Sequence, residues 1–492
     1  MRARLWLFVV LYLALTLSGC MQKEAFRTVA KVPPSIACPA STSSDVPAPC
    51  RQAITETTAD YDLHFVEFDD QGWTYPATKE GGAQVGDRPQ DESSQQLLLI
   101  MKRLRATLAM QPVRIFVFVH GWKHNAAYDD ENVVNFRDFL KEAALYEKVA
   151  QSTNRVVGIY VGWRGKSLDL GEPWISATFW DRKTAAQHVA VGSVRELSAQ
   201  LRALQRQANG TQPGAMMKRA LPDDPRVRIY MIGHSFGGLA LYAAVSQSLV
   251  YGFITGEDID GKNAPVERLG DMIVLINPAF EATRFQPLNR VARNRDYDVY
   301  QSPVFVAITS EADAATGKLF PLGRTFNTIF ETELTREEGL ANRNTPGHID
   351  AYLTHRLDVA ATDNGPCPGW KTEPATPAEM AANIQLEFIN SQKFKRELVD
   401  ERWPMNADKK PIPRTFCGGL VLTPLGGQGE PYRNPDPNMP MWNLAVSGEI
   451  VPGHNDINRP LFRAFLRQLF LDEYFNARVV RATPPSEPQL PR

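Results

Sequence analysis

Two periods of apolar residues alternate along the chain. Largely apolar runs at 62–68, 113–119, 155–162, 226–232, 272–277, 303–309 and 441–446 have the length and β-branched or aromatic content of strands. The run 113–119 carries no polar alternation, as a strand covered on both faces should. Between the runs lie helical patterns at 91–110, 132–150, 178–207, 236–250, 378–398 and 460–474, the first of them marked by Leu97, Leu98, Ile100, Met101 and Leu104. Strands separated by helices of a dozen residues pair in parallel through right-handed crossovers. The expected fold is therefore α/β, a doubly wound and mostly parallel sheet.

The alternation fails in three places. Residues 20–60 contain Pro33, Pro34, Pro39, Pro47, Pro49 and a Ser/Thr cluster at 41–44, and read as a tether. Residues 314–439 are rich in Pro and Gly and read as a large insertion before the last strand, a cap over the C-terminal edge of the sheet where ligands of such folds bind. The tail 477–492, with Pro484, Pro485, Pro488 and Pro491, reads as disordered. The core is then 61–313 together with 440–476, so the length of 492 residues reflects one decorated domain more than three in series.

At the start, Arg2 and Arg4 precede an apolar run over 5–17 that is too short to span a bilayer as a helix, the layout of a secretory signal over residues 1–19. Leu17-Ser18-Gly19-Cys20 resembles a bacterial lipobox, which implies cleavage before Cys20 and lipidation of that cysteine. Met21 is not aspartate, and in the lipoproteins that this segment resembles this departure implies the outer membrane of the cell envelope. The other four cysteines, Cys38, Cys50, Cys367 and Cys417, are even in number, as expected for an exported protein. The simplest pairing is Cys38 with Cys50 and Cys367 with Cys417, one of three that four cysteines permit. Lys and Arg total 54 against 55 Asp and Glu, a balance that excludes a protein living by a basic groove on nucleic acid.

Candidate chemistry centres on Gly233-His234-Ser235-Phe236-Gly237, a G-x-S-x-G sequence. Its context gives it weight: it joins the apolar run 226–232 to the small-residue helix start Gly237-Gly238-Leu239-Ala240. Ser235 at the tip of such a turn stands before a helix N-terminus, which favours developing negative charge. Upstream, the run 113–119 ends in His120-Gly121-Trp122, where the backbone N–H of Trp122 is a candidate second oxyanion donor beside that of Phe236, the first candidate. His120 and His124 share an i, i+4 spacing but follow a strand and lack an evident third ligand, so neither a metal nor another cofactor is expected.

Val119-His120-Gly121-Trp122-Lys123-His124-Asn125-Ala126, Gly233-His234-Ser235-Phe236-Gly237-Gly238 and Pro452-Gly453-His454-Asn455-Asp456 together resemble the α/β-hydrolase superfamily of serine hydrolases, over 60–313 and 440–475. The segment between has no counterpart in that resemblance. Serine, acid and base follow in that order in the family. His348, His355 and His454 lie downstream of Ser235, and His454, between an apolar strand and a terminal helix, holds the position of the base. Asp313, after the run 303–309, holds that of the acid, with Glu311 and Glu281 as rivals. Trp122 and Trp163 stand at strand ends, as pocket walls or as core.

The resemblance implies a lipid-anchored serine hydrolase that cleaves carboxylic esters through an acyl-enzyme on Ser235, with an ester or acyl substrate and a membrane reached through Cys20 as its partners. Two other readings stay open: an acyltransferase with the same triad, and a non-catalytic envelope scaffold built on the same fold.

Overall fold

In the computed structural model, which describes residues 25–38, 45–77, 95–165, 179–210, 225–255, 266–294, 297, 302–328, 331–360, 365–397, 412–425 and 439–474, the alternating runs become layers of an α/β fold. The strands are β1 (Thr55–Thr57), β2 (Tyr61–Phe68), β3 (Val113–Val119), β4 (Arg155–Trp163), β5 (Val227–His234), β6 (Met272–Ile276), β7 (Phe305–Ser310), β8 (His355–Val359), β9 (Arg414–Thr415), β10 (Leu420–Pro424) and β11 (Met441–Val446). They form one 11-stranded sheet in the order β1-β2-β4-β3-β5-β6-β7-β11-β8-β10-β9. Pairing from β2 to β8 is parallel, whereas β1, β10 and β9 join antiparallel at the two edges. The sheet is thus mostly parallel, as the alternating pattern predicts, and mixed at its edges.

Helices cover both faces: α1 (Gln96–Met110), α2 (Glu131–Val149), α3 (Phe179–Val189), α4 (Arg195–Ala208), α5 (Phe236–Ile254), α6 (Ala282–Arg293), α7 (Phe320–Asn327), α8 (Arg336–Arg343), α9 (Pro377–Glu397) and α10 (Pro460–Tyr474). Strand β3 shows why its run lacks polar alternation. Val113, Ile115, Val117 and Val119 share one apolar layer with Leu97 and Leu104 of α1 and Leu239 of α5, while Phe118 stacks on Phe136 of α2 and Phe116 meets Phe470 of α10. Each face buries its own apolar layer, the arrangement that a parallel sheet requires. The helical pattern at 178–207 resolves into α3 and α4, separated by a π-helical turn at Ala190–Val194 whose Gly192 has non-helical backbone angles (φ -84°, ψ -110°).

Two segments differ from the sequence expectation. Residues 25–60, expected within a tether, pack into the fold where they are described. Arg27 is fully buried: its guanidinium lies 3.7 Å above the Phe65 ring, pairs with Glu56 at 2.9 Å and donates through Nε to the Ala126 carbonyl at 2.8 Å. The backbone N–H of Arg27 donates to Glu67 at 2.7 Å, and β1 pairs with β2. Proline content suggested a linker, but these contacts join residues far apart in sequence and leave no local period. The segment 314–439, expected as a cap, supplies β8, β9 and β10, which continue the sheet past β11. Its helix α9 packs on α10 and α2. A short strand such as Arg414–Thr415 is held by its ladder neighbour more than by its own composition.

Disulfides join Cys38 to Cys50 and Cys367 to Cys417, as the simplest pairing expects. The signal at 1–19, Cys20 and the tail 477–492 lie outside the described residues.

Candidate active site

The site forms where β5, β6, β7 and β11 end side by side on the sheet. Ser235 occupies the single-residue turn between β5 and α5, with φ 55° and ψ -120°, a conformation costly for a residue with a Cβ. Its N–H donates to the Ile276 carbonyl at 3.0 Å, and its carbonyl accepts from Ala279 at 3.2 Å, so the neighbouring strand β6 and its exit loop hold the strained turn in place. Gly237 is what lets α5 start this close to β3: a Cβ there would run into the backbone of Val119 and His120. Ser235 is 5% exposed, with its side chain at the C-terminal edge of the sheet.

His454 reaches Ser235 from the loop after β11. Its Nε2 lies 2.7 Å from Ser235 Oγ, and its Nδ1 lies 2.7 Å from Asp313 Oδ2. An ionised carboxylate only accepts, so Nδ1 carries the proton and Nε2 receives the serine O–H. The His454 carbonyl is held twice, by His234 Nε2–H at 2.9 Å and by Asn277 Nδ2–H at 2.9 Å. Asn277 in turn accepts from Ser310 N–H at 2.9 Å, and Ser310 Oγ donates to the Val451 carbonyl at 2.5 Å. The loop carrying the imidazole is thus bolted to the ends of β5, β6 and β7. Burial, and secondarily the neighbouring His454, pushes His234 down to about 3, so it stays a neutral donor.

Asp313 lies just past β7 and is buried. Oδ1 accepts from the N–H groups of Ala315 at 2.8 Å and Thr316 at 3.2 Å; Oδ2 accepts from Thr316 Oγ1 at 2.5 Å and from His454. Burial alone would raise its pKa, but the hydrogen bond and charge of His454 and the Thr316 contacts outweigh it and hold the carboxyl below its usual range. The rival acids are engaged elsewhere. Glu311 is exposed and pairs with Arg356 at 2.7 Å. Glu281 pairs with Lys183, with Arg284 at 3.0 Å and with Arg324 at 3.2 Å.

Of the other downstream histidines, His355 sits inside the sheet on β8, beside Trp442 and hydrogen-bonded to Thr354 at 2.9 Å, and burial pushes it down to about 3. His348 contacts Thr316 at 3.0 Å, behind Asp313 and away from Ser235. His120 has both ring nitrogens occupied: Nδ1–H donates to the Gly121 carbonyl at 2.8 Å, and Nε2 accepts from Trp163 N–H at 3.0 Å. His124 pairs with Asp130 at 3.2 Å. Trp163 is buried and donates to the His120 carbonyl at 2.8 Å, so it braces the loop after β3. That loop abuts the serine: a Cβ on Gly121 would stand 2.9 Å from Ser235 Cβ. The next residue in that loop is Trp122, and Phe236 follows Ser235 as the first residue of α5.

The sequence pattern singled out Ser235, His454 and Asp313, which the structure joins in one hydrogen-bonded chain. It missed Asn277, Thr316 and the holding role of His234. Only the left-handed backbone of Asn277 (φ 45°) marks it as unusual, and that is a property of the fold. A serine hydroxyl facing an imidazole that is oriented by a buried carboxylate can lose its proton as its oxygen attacks an electrophile.

No family model matches the chain, and no curated protein matches it. A solved structure, that of an uncharacterized protein from Pseudomonas aeruginosa, aligns at 11% identity and a TM-score of 0.19, over 44% of this chain and 37% of that one.

Proposed function

We propose that the protein is a serine hydrolase of the α/β-hydrolase type that cleaves carboxylic esters, anchored in the bacterial envelope, at the outer membrane, through lipidated Cys20. The observation that carries this reading is the chain Ser235–His454–Asp313, with both links at 2.7 Å and the serine on a strained strand-to-helix turn. Ser235 Oγ attacks the ester carbonyl while His454 Nε2 takes its proton. The tetrahedral oxyanion accepts from the Phe236 and Trp122 amides. Its collapse breaks the carbon–oxygen bond of the leaving alcohol, which receives the proton from His454, and leaves an acyl-enzyme. Water, deprotonated by His454, repeats the attack and releases the acid and free Ser235. Asp313 holds the productive tautomer and stabilises the imidazolium.

The test is covalent labelling by a fluorophosphonate probe together with hydrolysis of nitrophenyl esters. Wild-type protein should label, and Ser235→Ala should neither label nor turn over, with kcat lower by about a millionfold. Equal labelling of the two proteins would sink the assignment.

A further inference from the structure

The hydrogen-bonded chain continues behind Asp313. Thr316 Oγ1 donates to Asp313 Oδ2 at 2.5 Å, and His348 Nε2 lies 3.0 Å from the same hydroxyl oxygen. A hydroxyl has one proton, and the ionised carboxylate supplies none. With the Thr316 proton on the Asp313 side, His348 must donate, so its ring proton is on Nε2. Burial holds this imidazole below its usual range, against the pull of Asp313, which leaves it a single ring proton at neutral pH.

From this geometry we propose that His348, acting through Thr316, is a positioning residue that keeps the Thr316 hydroxyl pointed at Asp313 Oδ2, the oxygen that also receives His454 Nδ1–H. The inference rests on the hydrolase reading. Its physical content is a choice of direction. Thr316 lies in the π-helical turn Ala315–Leu319, where a threonine hydroxyl can instead bond back to a carbonyl one turn earlier. Donation from His348 occupies the oxygen's acceptor side and leaves the proton to the carboxylate. Asp313 then has four donors, two on each oxygen, and cannot swing away from His454.

His348 is seated from several sides. It closes the 3-10 turn Pro346–His348, whose Pro346 carbonyl accepts from Asn443 Nδ2 of β11 at 3.0 Å. Gly347 lies against the Thr309 side chain of β7 so closely that a Cβ has no room, and a Cβ on Gly317 would stand 3.0 Å from His348 Cε1. The ring is therefore placed by the two strands whose loops carry Asp313 and His454.

The test compares His348→Ala, His348→Gln, Thr316→Val and the His348→Ala/Thr316→Val pair in the full chain. It reads kcat and KM on a nitrophenyl ester and the low-field proton resonance of His454 Nδ1–H. His348→Ala should lower kcat roughly tenfold with KM within about twofold, as expected for losing a bond that supports a charged partner. His348→Gln, which keeps a donor, should restore most of it. The pair should be no slower than Thr316→Val alone, because His348 acts only through that hydroxyl. The resonance should move in His348→Ala and Thr316→Val and stay in His348→Gln. Should His348→Ala unfold on melting, His348→Phe fills the seat without a donor and should show the same loss. A wild-type resonance and kcat in the donor-less variant, or losses that multiply in the pair, would overturn the proposal. Absence of any probe labelling in the wild type would instead remove the hydrolase reading, and the resonance would still decide the relay.

Discussion

His454 Nδ1 and Asp313 Oδ2 meet at 2.7 Å although the two residues stand 141 positions apart in the chain. The pairing register explains how: β11 lies directly beside β7, with Val446 opposite Ser310, so the loops leaving the two strands emerge side by side. Between them in sequence come β8, β9 and β10, which extend the same sheet beyond β11.

Asp313→Asn should leave the fold intact and lower kcat by about ten-thousandfold, because an amide can present its N–H to His454 and stabilise the wrong tautomer. Glu311→Gln, which removes only an exposed pair with Arg356, should stay within twofold of wild type. Steady-state kinetics on one ester distinguishes the three proteins, and a larger loss in Glu311→Gln would reassign the acid.

Acid should destabilise the fold well above the carboxylate range. Burial pushes His64 and His120 down to about 4, and His234 and His355 down to about 3. Between a normal histidine value near 6.5 and those values, the unfolded chain binds protons that the native chain refuses, so stability rises with pH in that window. The penalty is absent above about pH 7 and grows as pH falls towards 4. Denaturant midpoints across that range should shift downwards, and His355→Phe should flatten the slope by about one proton.

Arg27→Ala should destabilise the protein by about 3–5 kcal/mol, since it leaves the carboxylate of Glu56 largely buried with part of its pairing lost. Chemical denaturation measures this directly. A midpoint equal to wild type would mean that residues 25–60 rest on the globule without supporting it.

Gly237→Ala forces a Cβ into the backbone of Val119 and His120 and should cost about 1–3 kcal/mol through displacement of α5 or of the loop after β3. Because both flank Ser235, probe labelling should fall further than the melting temperature suggests. Normal labelling in a destabilised variant would show that the loop relaxes without disturbing the serine.

The interior strands were legible because each is an apolar run long enough to announce itself: Val113–Val119 and Met441–Val446 stand as the pattern has them. The outer strands were not. Strand β10 alternates buried and half-buried residues next to Pro424, and β9 is two residues long, so both depend on neighbours that local composition does not name. Among site residues, Ser235 announced itself by its glycines and His454 by its place after the last strand. Thr316 and His348 had no such mark, because a hydrogen bond between residues 32 apart leaves no period in the chain.

Local pattern was thus enough for an α/β architecture and for the strand-to-helix turn at Ser235, since each follows from interactions within a few residues, and it put His454 and Asp313 among the candidates. The choice of Asp313 over Glu311 and Glu281, the seat of His348, the burial of Arg27 and the continuation of the sheet past β11 belong to the folded molecule. Those features are contacts between distant segments, and a linear pattern carries no information about which distant segments the sheet order will bring to the same edge.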